Sequence, residues 1–268
     1  MDRLGIENLS TFGLHPVEFI RLAGELGCGH VSLNLSGSAN RLDIYPEVSW
    51  RGDVALQRDM ARAADDAGVA ISLVEGFAIL PGAAADFFAD LDHAAAMGAK
   101  AICAVSLERD ITRTHDEFAR LTDLAAQRGI VTTTEVGAGV LRNLEKSLAA
   151  VAAVAHSGFR LLVDTMHFFR SGSTLADFAA LDPAAIGHIQ LCDVPMPAQI
   201  ESYMEEALYE RRAPGDGDLP LAELVKLVPE EVAIGLEIPI RSEAEAGVGP
   251  MERLGRCVSA ARRLMEAR

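Results

Sequence analysis

Positive charge and aromatic rings are what this 268-residue chain has least of. It carries 24 Lys and Arg against 39 Asp and Glu, a formal net charge of −15. So acidic a balance excludes nucleic acid as a partner, because phosphate backbones require a basic surface. It also gives no attraction to an anionic membrane. Aromatics make up 5% of the residues and hydrophobics 50%. A large core is therefore available, built from aliphatic side chains and alanine on helices packed over a sheet. The four cysteines, Cys28, Cys103, Cys192 and Cys257, are far apart and form no C-x-x-C pair. Neither a zinc knuckle nor a disulfide framework follows, and they read as small buried hydrophobes. No apolar run is long enough to span a bilayer, and no basic stretch followed by an apolar one opens the chain. A cytoplasmic protein is expected. No G-x-G-x-x-G follows a strand-like run, which removes the dinucleotide fingerprint.

What the chain does have is alternation. Strand-like runs are expected at 4–9, 30–35, 69–74, 101–105, 130–134, 159–164, 186–191 and 232–236. Helical patterns lie between and after them: 17–26, 54–67, 84–97, 115–127, 143–156, 174–181, 220–227 and 250–266. Glycine ends most of these helices, at Gly27, Gly68, Gly98, Gly129 and Gly158, as a C-terminal cap should. Strands alternating with helices imply βαβ units and a parallel sheet. Eight such units in a chain of this length predict one closed (β/α)8 TIM barrel spanning 1–268, with a doubly wound sheet as the alternative. The longest irregular stretch, 195–218, follows the seventh strand, and 199–209 within it has a helical pattern. Loops of that length are usually functional.

The sixth run, Phe159-Arg160-Leu161-Leu162-Val163-Asp164, is apolar until it ends in a carboxylate, with His167 three residues later. An acid there sits where (β/α)8 barrels hold ligands. Strands five, seven and eight end in the same way, at Glu135, Gln190 and Glu237. Three carboxylates converging without a cation would repel one another. A divalent cation removes that penalty, and an all-oxygen set suits Mn2+ or Mg2+ rather than structural zinc. Glu75, at the tip of the third strand, and Glu7 and Asn34, inside the first and second, are further candidates to line the pocket. The remaining histidines, His15, His30, His93, His115 and His156, fall in helices or at element ends and read as structural.

The segments Thr134-Glu135, Val163-Asp164-Thr165-Met166-His167, His188-Ile189-Gln190-Leu191-Cys192-Asp193, Arg211 to Gly217 and Gly235-Leu236-Glu237 occur in that order. In this the chain resembles the sugar phosphate isomerase/epimerase family, the xylose-isomerase-like barrels, over nearly its whole length. The resemblance implies a single divalent metal held by Glu135, Asp164, Glu237 and a fourth ligand from strand seven. There the family's His is replaced by Gln190, with His188 as a lesser candidate. It implies a metal-dependent isomerase or epimerase of a small polyhydroxy or keto compound, working by proton removal next to a carbonyl through an enediolate that the metal stabilises. Glu135 and Glu237 would exchange the proton. Gln190 also resembles the 3-dehydroshikimate dehydratase branch, in which His167 would handle the proton; that is the alternative. A three-residue offset from a ligand predicts for His167 an ionisation near pH 6–7. Arg211 would hold a substrate oxygen or carboxylate, and His188 and Glu75 would also face the substrate. A homo-oligomer is left open.

Overall fold

Eight short strands pair edge to edge, all parallel, and the first closes on the last: β1 (Leu4–Ile6), β2 (His30–Asn34), β3 (Ala70–Ile79), β4 (Ala101–Ser106), β5 (Val131–Glu135), β6 (Phe159–Asp164), β7 (Ile186–Leu191) and β8 (Ile234–Leu236). The computed structural model describes residues 2–81 and 87–266. The expected (β/α)8 barrel is therefore the fold. Its helices are α1 (Pro16–Glu25), α2 (Val54–Ala67), α3 (Phe88–Ala96), α4 (Ile111–Ala126), α5 (Leu144–Val154), α6 (Thr165–Arg170), α7 (Leu175–Ala179), α8 (Tyr203–Tyr209), α9 (Leu221–Leu227), α10 (Arg241–Glu245) and α11 (Pro250–Glu266).

Local chemistry fixes several of the helix starts. Asp53, Asp110 and Asn143 each accept a backbone N–H from the first turn of α2, α4 and α5, and Thr174 forms a reciprocal capping box with Asp177 ahead of α7. Asp110 explains why α4 starts at Ile111 rather than at the expected His115. The expected start of the third helix lies partly outside the described residues. Two short helices, α6 and α10, were not expected. Among the described residues no helix is long and apolar enough to cross a membrane.

Two differences in the strands matter for the site. β1 stops at Ile6, so Glu7 stands at a strand end rather than inside a strand. β3 runs on to Ile79, so Glu75 lies within the strand rather than at its tip. Its pairing with β4 is irregular between Val74 and Phe77, and Gly76 there has φ 103°, a conformation glycine adopts freely. The Glu75-Gly76 pair reads as a strand stop but is a bend that the strand passes through.

The core has two unequal parts. The larger lies between the sheet and the helices. The smaller fills one side of the barrel interior with Leu73, Ala101, Cys103 and Leu162, and Val105 and Val131 pack against it. On the other side of the interior is a buried polar pair, Glu7 and His188. Gly235 makes room for it: a Cβ there would sit 1.4 Å from Glu7 Oε1.

Candidate active site

Asp164 is the last residue of β6 and the N-cap of α6. Its Oδ1 accepts the backbone N–H of His167 at 2.8 Å. A helix that starts directly at a strand end returns its first turn over the barrel mouth, and so His167 reaches the neighbouring strand. His167 Nε2 lies 3.2 Å from Glu135 Oε1, at the end of β5. Gly137 permits this approach, since a Cβ on it would stand 3.3 Å from His167 Cβ and from its carbonyl oxygen. His167 Nδ1 is hydrogen-bonded to the hydroxyl of Tyr203, and the two rings stack with centroids 5.4 Å apart.

Gln190 pairs with Asp164 across β6 and β7 and with Gly235 across β7 and β8. Its Nε2 donates to Glu75 Oε1 and Glu237 Oε1, both at 3.0 Å, and lies 3.4 Å from Glu7 Oε2. An amide has two hydrogens for these three oxygens, so the contact to Glu7 is the weakest. Among the described residues none donates to Gln190 Oε1. Beneath it, Glu7 Oε1 faces His188 Nε2 at 2.9 Å, with both side chains 1% exposed. The expected substrate contact through His188 therefore does not hold: its ring is buried below the cavity floor and bound to Glu7.

Arg211 is the second departure. Its Nη1 donates to Asp164 Oδ2 at 2.5 Å and stands 2.9 Å from Glu237 Oε2, while Nε donates to the carbonyl of Ala207 at 2.8 Å. It lines the cavity, as a substrate-binding arginine should, but that nitrogen bridges two of the four expected metal ligands. The acidic groups fall accordingly into two sets. Glu135, Asp164 and His167 bring ligand atoms within 4.8 Å of one another, and so do Glu7, Glu75 and Glu237. Arg211 spans the two sets, and Gln190 holds the second together.

Four buried or half-buried carboxylates, Glu75, Glu135, Asp164 and Glu237, thus share one guanidinium. Burial, and then the charge of Glu7, push the Glu75 carboxyl up to about 8. Burial followed by Asp164 and Glu75 takes Glu135 up to about 8. Burial lifts Glu237 well above the carboxylate range against the pull of Arg211. Asp164 goes the other way: burial raises it, but Arg211, His167 and the capped N–H together outweigh that and hold it low. Burial also pulls His167 below the ordinary histidine value, against the raising charge of Asp164. The site is short of positive charge, and its donors are oxygens with one imidazole at the edge. On both counts the residues fit a divalent cation, with candidate donors in the two groups Glu135, Asp164, His167 and Glu7, Glu75, Glu237.

These groups open into a cavity of about 390 Å3 at the carboxyl ends of the strands. One wall is acidic. Apolar lining comes from Phe77, Ala78 and Val105 of β3 and β4. Asn34 and Glu75 line it as expected, whereas Glu7 lies below. Tyr203, Met204 and Leu208 of α8 cover one side. Tyr203 carried no signal in the sequence beyond its place in the long loop after β7. The loop itself is pinned: Arg170 of α6 forms a buried, forked pair with Glu206 of α8, its Nη2 at 2.8 Å from Oε1.

Comparison with known proteins agrees with this architecture. No curated protein matches the chain by sequence. Among solved structures, the zinc-bound IolI protein superposes with a TM-score of 0.75 at 17% identity, covering 98% of this chain and 96% of that one. The D-allulose 3-epimerase of Methylomonas sp. gives 0.70 at 15%, covering 97% of each chain. The probable 3-DHS dehydratase AsbF of Bacillus anthracis gives 0.70 at 14%, covering 95% of this chain and 98% of that one. At these identities the likeness is one of fold. The profile of the xylose isomerase-like TIM barrels matches residues 20–254, from α1 into α11, and the chain belongs to that family.

Proposed function

We propose that the protein is a divalent-metal-dependent isomerase or epimerase of an uncharged sugar or sugar-like polyol that carries a carbonyl. The observation behind this reading is the gathering of Glu135, Gln190 and Glu237 at one cavity short of positive charge, with Asp164 buried behind them on Arg211. Those four side chains would hold Mn2+ or Mg2+, whose preference for oxygen donors they match. Bound there, the cation would supply Lewis acidity to a substrate carbonyl and so favour loss of the proton beside it. The rest is done by the chain. Glu135 and Glu237 enter the cavity from β5 and β8, in the two separate acidic sets, so one can take a proton and the other return one to the opposite face of the carbon. The apolar lining of Phe77, Ala78 and Val105 keeps water from competing for that proton.

The charge of the cavity bears on the substrate. Among the described residues Arg211 is the one arginine or lysine lining it, and it is already bound to two carboxylates. The internal segment outside the described residues, 82–86, contains no basic residue. A phosphate or carboxylate on the substrate would enter against an excess of negative charge. This favours a neutral polyol over a sugar phosphate. It also weighs against the second reading, a hydro-lyase of the 3-dehydroshikimate dehydratase kind, whose substrate is an acid. Gln190 in place of a histidine is the feature that favours that reading.

The test is a panel of neutral ketoses and cyclic polyol ketones, with 3-dehydroshikimate alongside, incubated with the protein and Mn2+ in deuterated water. Deuterium at the carbon next to the carbonyl, with formation of the epimer or isomer, is the expected result. An ultraviolet-absorbing conjugated product from the acid selects the lyase. Absence of exchange across the whole panel, with the cation bound, overturns the proposal.

A further inference from the structure

A second cavity, of about 280 Å3, lies beside the first at the same end of the barrel. It is enclosed between the turn after β1 and the loop from β2 to α2. The two cavities share Asn34, the last residue of β2, and they divide the turn after β1 between them: Asn8 lines the second and Leu9 the first. Specific contacts fix the walls. Gly37 packs so closely on Val48 that a Cβ would stand 2.5 Å from its carbonyl oxygen. Trp50 Nε1 donates to the carbonyl of Asn34 at 2.8 Å, and Asn40 Nδ2 donates to the carbonyls of Leu9 and Leu208. Asn8 is 8% exposed, and its backbone N–H and carbonyl are already bonded to the hydroxyls of Ser32 and Thr11. Its side-chain amide has no hydrogen-bond partner among the described residues, and neither has the side-chain NH2 of Asn34. Buried amides are ordinarily paired, so these groups call for a partner from outside the chain. We propose that this cavity is a second subsite for an uncharged polyhydroxy ring joined to the ring held in the first, so that the substrate is a glycoside or disaccharide rather than a single sugar.

The lining sets the chemistry of the occupant. Among the described residues its one basic side chain is Arg41, which is spent on the carbonyls of Leu42 and Tyr45 and on Asp43. No cation is left for a phosphate or carboxylate, and the exposed Glu47 on the rim would repel one. The amides of Asn8 and Asn34 and the hydroxyl of Ser36 offer the donors and acceptors that sugar hydroxyls pair with. Leu14, Val48 and Trp50 supply apolar surface for the C–H faces of a ring. Asn34, common to both cavities, would meet the bond that joins the two rings. The inference deepens the proposed function and rests on it only for the ring that carries the carbonyl.

The test is titration calorimetry on the full-length protein with Mg2+. The probes are fructose and then turanose, maltulose and isomaltulose, which carry a glucosyl group at different oxygens of that same ketose. At least one of the disaccharides is expected to bind about 10-fold or more tightly than fructose, the worth of one or two well-formed hydrogen bonds. Ala39 lies at the exposed edge of the second cavity, so Ala39→Trp puts a bulky ring into it. That variant should abolish the gain while fructose binds as before. Asn8→Ala, which removes the buried amide, should cut the gain by an independent route, so the test stands if either variant fails to fold. Equal affinity for fructose and every disaccharide overturns the proposal, as does absence of binding by all of them or a gain that survives the substitutions. The outcome is separable from that of the proposed reaction. A gain without solvent deuterium entry keeps the subsite and removes the isomerase, whereas deuterium entry into fructose without a gain does the reverse.

Discussion

Asp164 caps a helix with one oxygen and holds Arg211 with the other, and two substitutions separate those roles from cation binding. Asp164→Asn retains an oxygen for the cap. Its amide NH2 then faces Arg211 in place of an oxygen, so the variant is expected to cost stability through the lost ion pair and to lower cation affinity strongly, as measured by metal content after dialysis; an unchanged content removes Asp164 from the ligand set. Asp164→Ala removes the cap and leaves a buried guanidinium short of a partner. Denaturant unfolding should show a loss of about 3–5 kcal/mol, the usual result of breaking a buried ion pair from one side. Glu135, Asp164 and Glu237 were legible because each stands where its strand ends, Asp164 and Glu237 after an apolar run and Glu135 after a β-branched one. The position of Arg211 was not. It depends on where a loop residue lands across the mouth, and no periodicity encodes that. His188 misled for a related reason. Alternation along β7 puts it on the same side as Gln190 but does not say that Glu7 occupies the space above it, which Gly235 leaves free.

Among the elements, α8 is the one held mostly by side chains. Its seven residues are too few to be stable alone, and its anchors are Arg170 on Glu206, Arg211 on the carbonyl of Ala207, and Arg241 on Glu205. Glu206→Ala should therefore release α8 while the barrel stands. Hydrogen exchange is expected to quicken in 203–209 and to stay as it was in β6 and β7; equal quickening in the strands would mean that the pair supports the barrel itself. Sequence gave the helical pattern at 199–209 but not its anchoring, because Arg170 and Glu206 belong to different loops. β3 shows the same limit in a strand. Glu75-Gly76 carries the composition of a stop, and only pairing with β4 carries the chain through it.

For the molecule as a whole, the charge imbalance at the mouth sets the pH dependence. Glu75, Glu135 and Glu237 hold their protons more tightly folded than unfolded. Their contribution is fully present below the unfolded carboxylate value of about 4.3 and is lost as pH rises toward about 8. Asp164, held low, contributes in the opposite sense, and its share is lost as pH falls. Without a divalent cation, the melting temperature is expected to decline between about pH 5 and 8, and with Mn2+ the decline should flatten. Identical profiles with and without Mn2+ would mean that these carboxylates do not meet the cation. The thiols follow the packing. Cys28, Cys103, Cys192 and Cys257 are all buried, and burial pushes Cys28, Cys192 and Cys257 up to about 12 and Cys103 well above its ordinary value. A disulfide reagent at pH 8 should modify none of them in the native state and all four at the rate of global unfolding.

The missing side chain at Gly235 also constrains how this sequence can change over time. The Glu7 carboxylate occupies the volume that any Cβ at 235 would need. The two positions lie at opposite ends of the chain, yet their histories are joined and directional. Glu7 can be exchanged for something smaller while Gly235 stays, whereas a side chain at 235 first requires the Glu7 carboxylate to swing out of its place and off His188. A lineage that loses the buried acid first is free to fill the space with an aliphatic side chain.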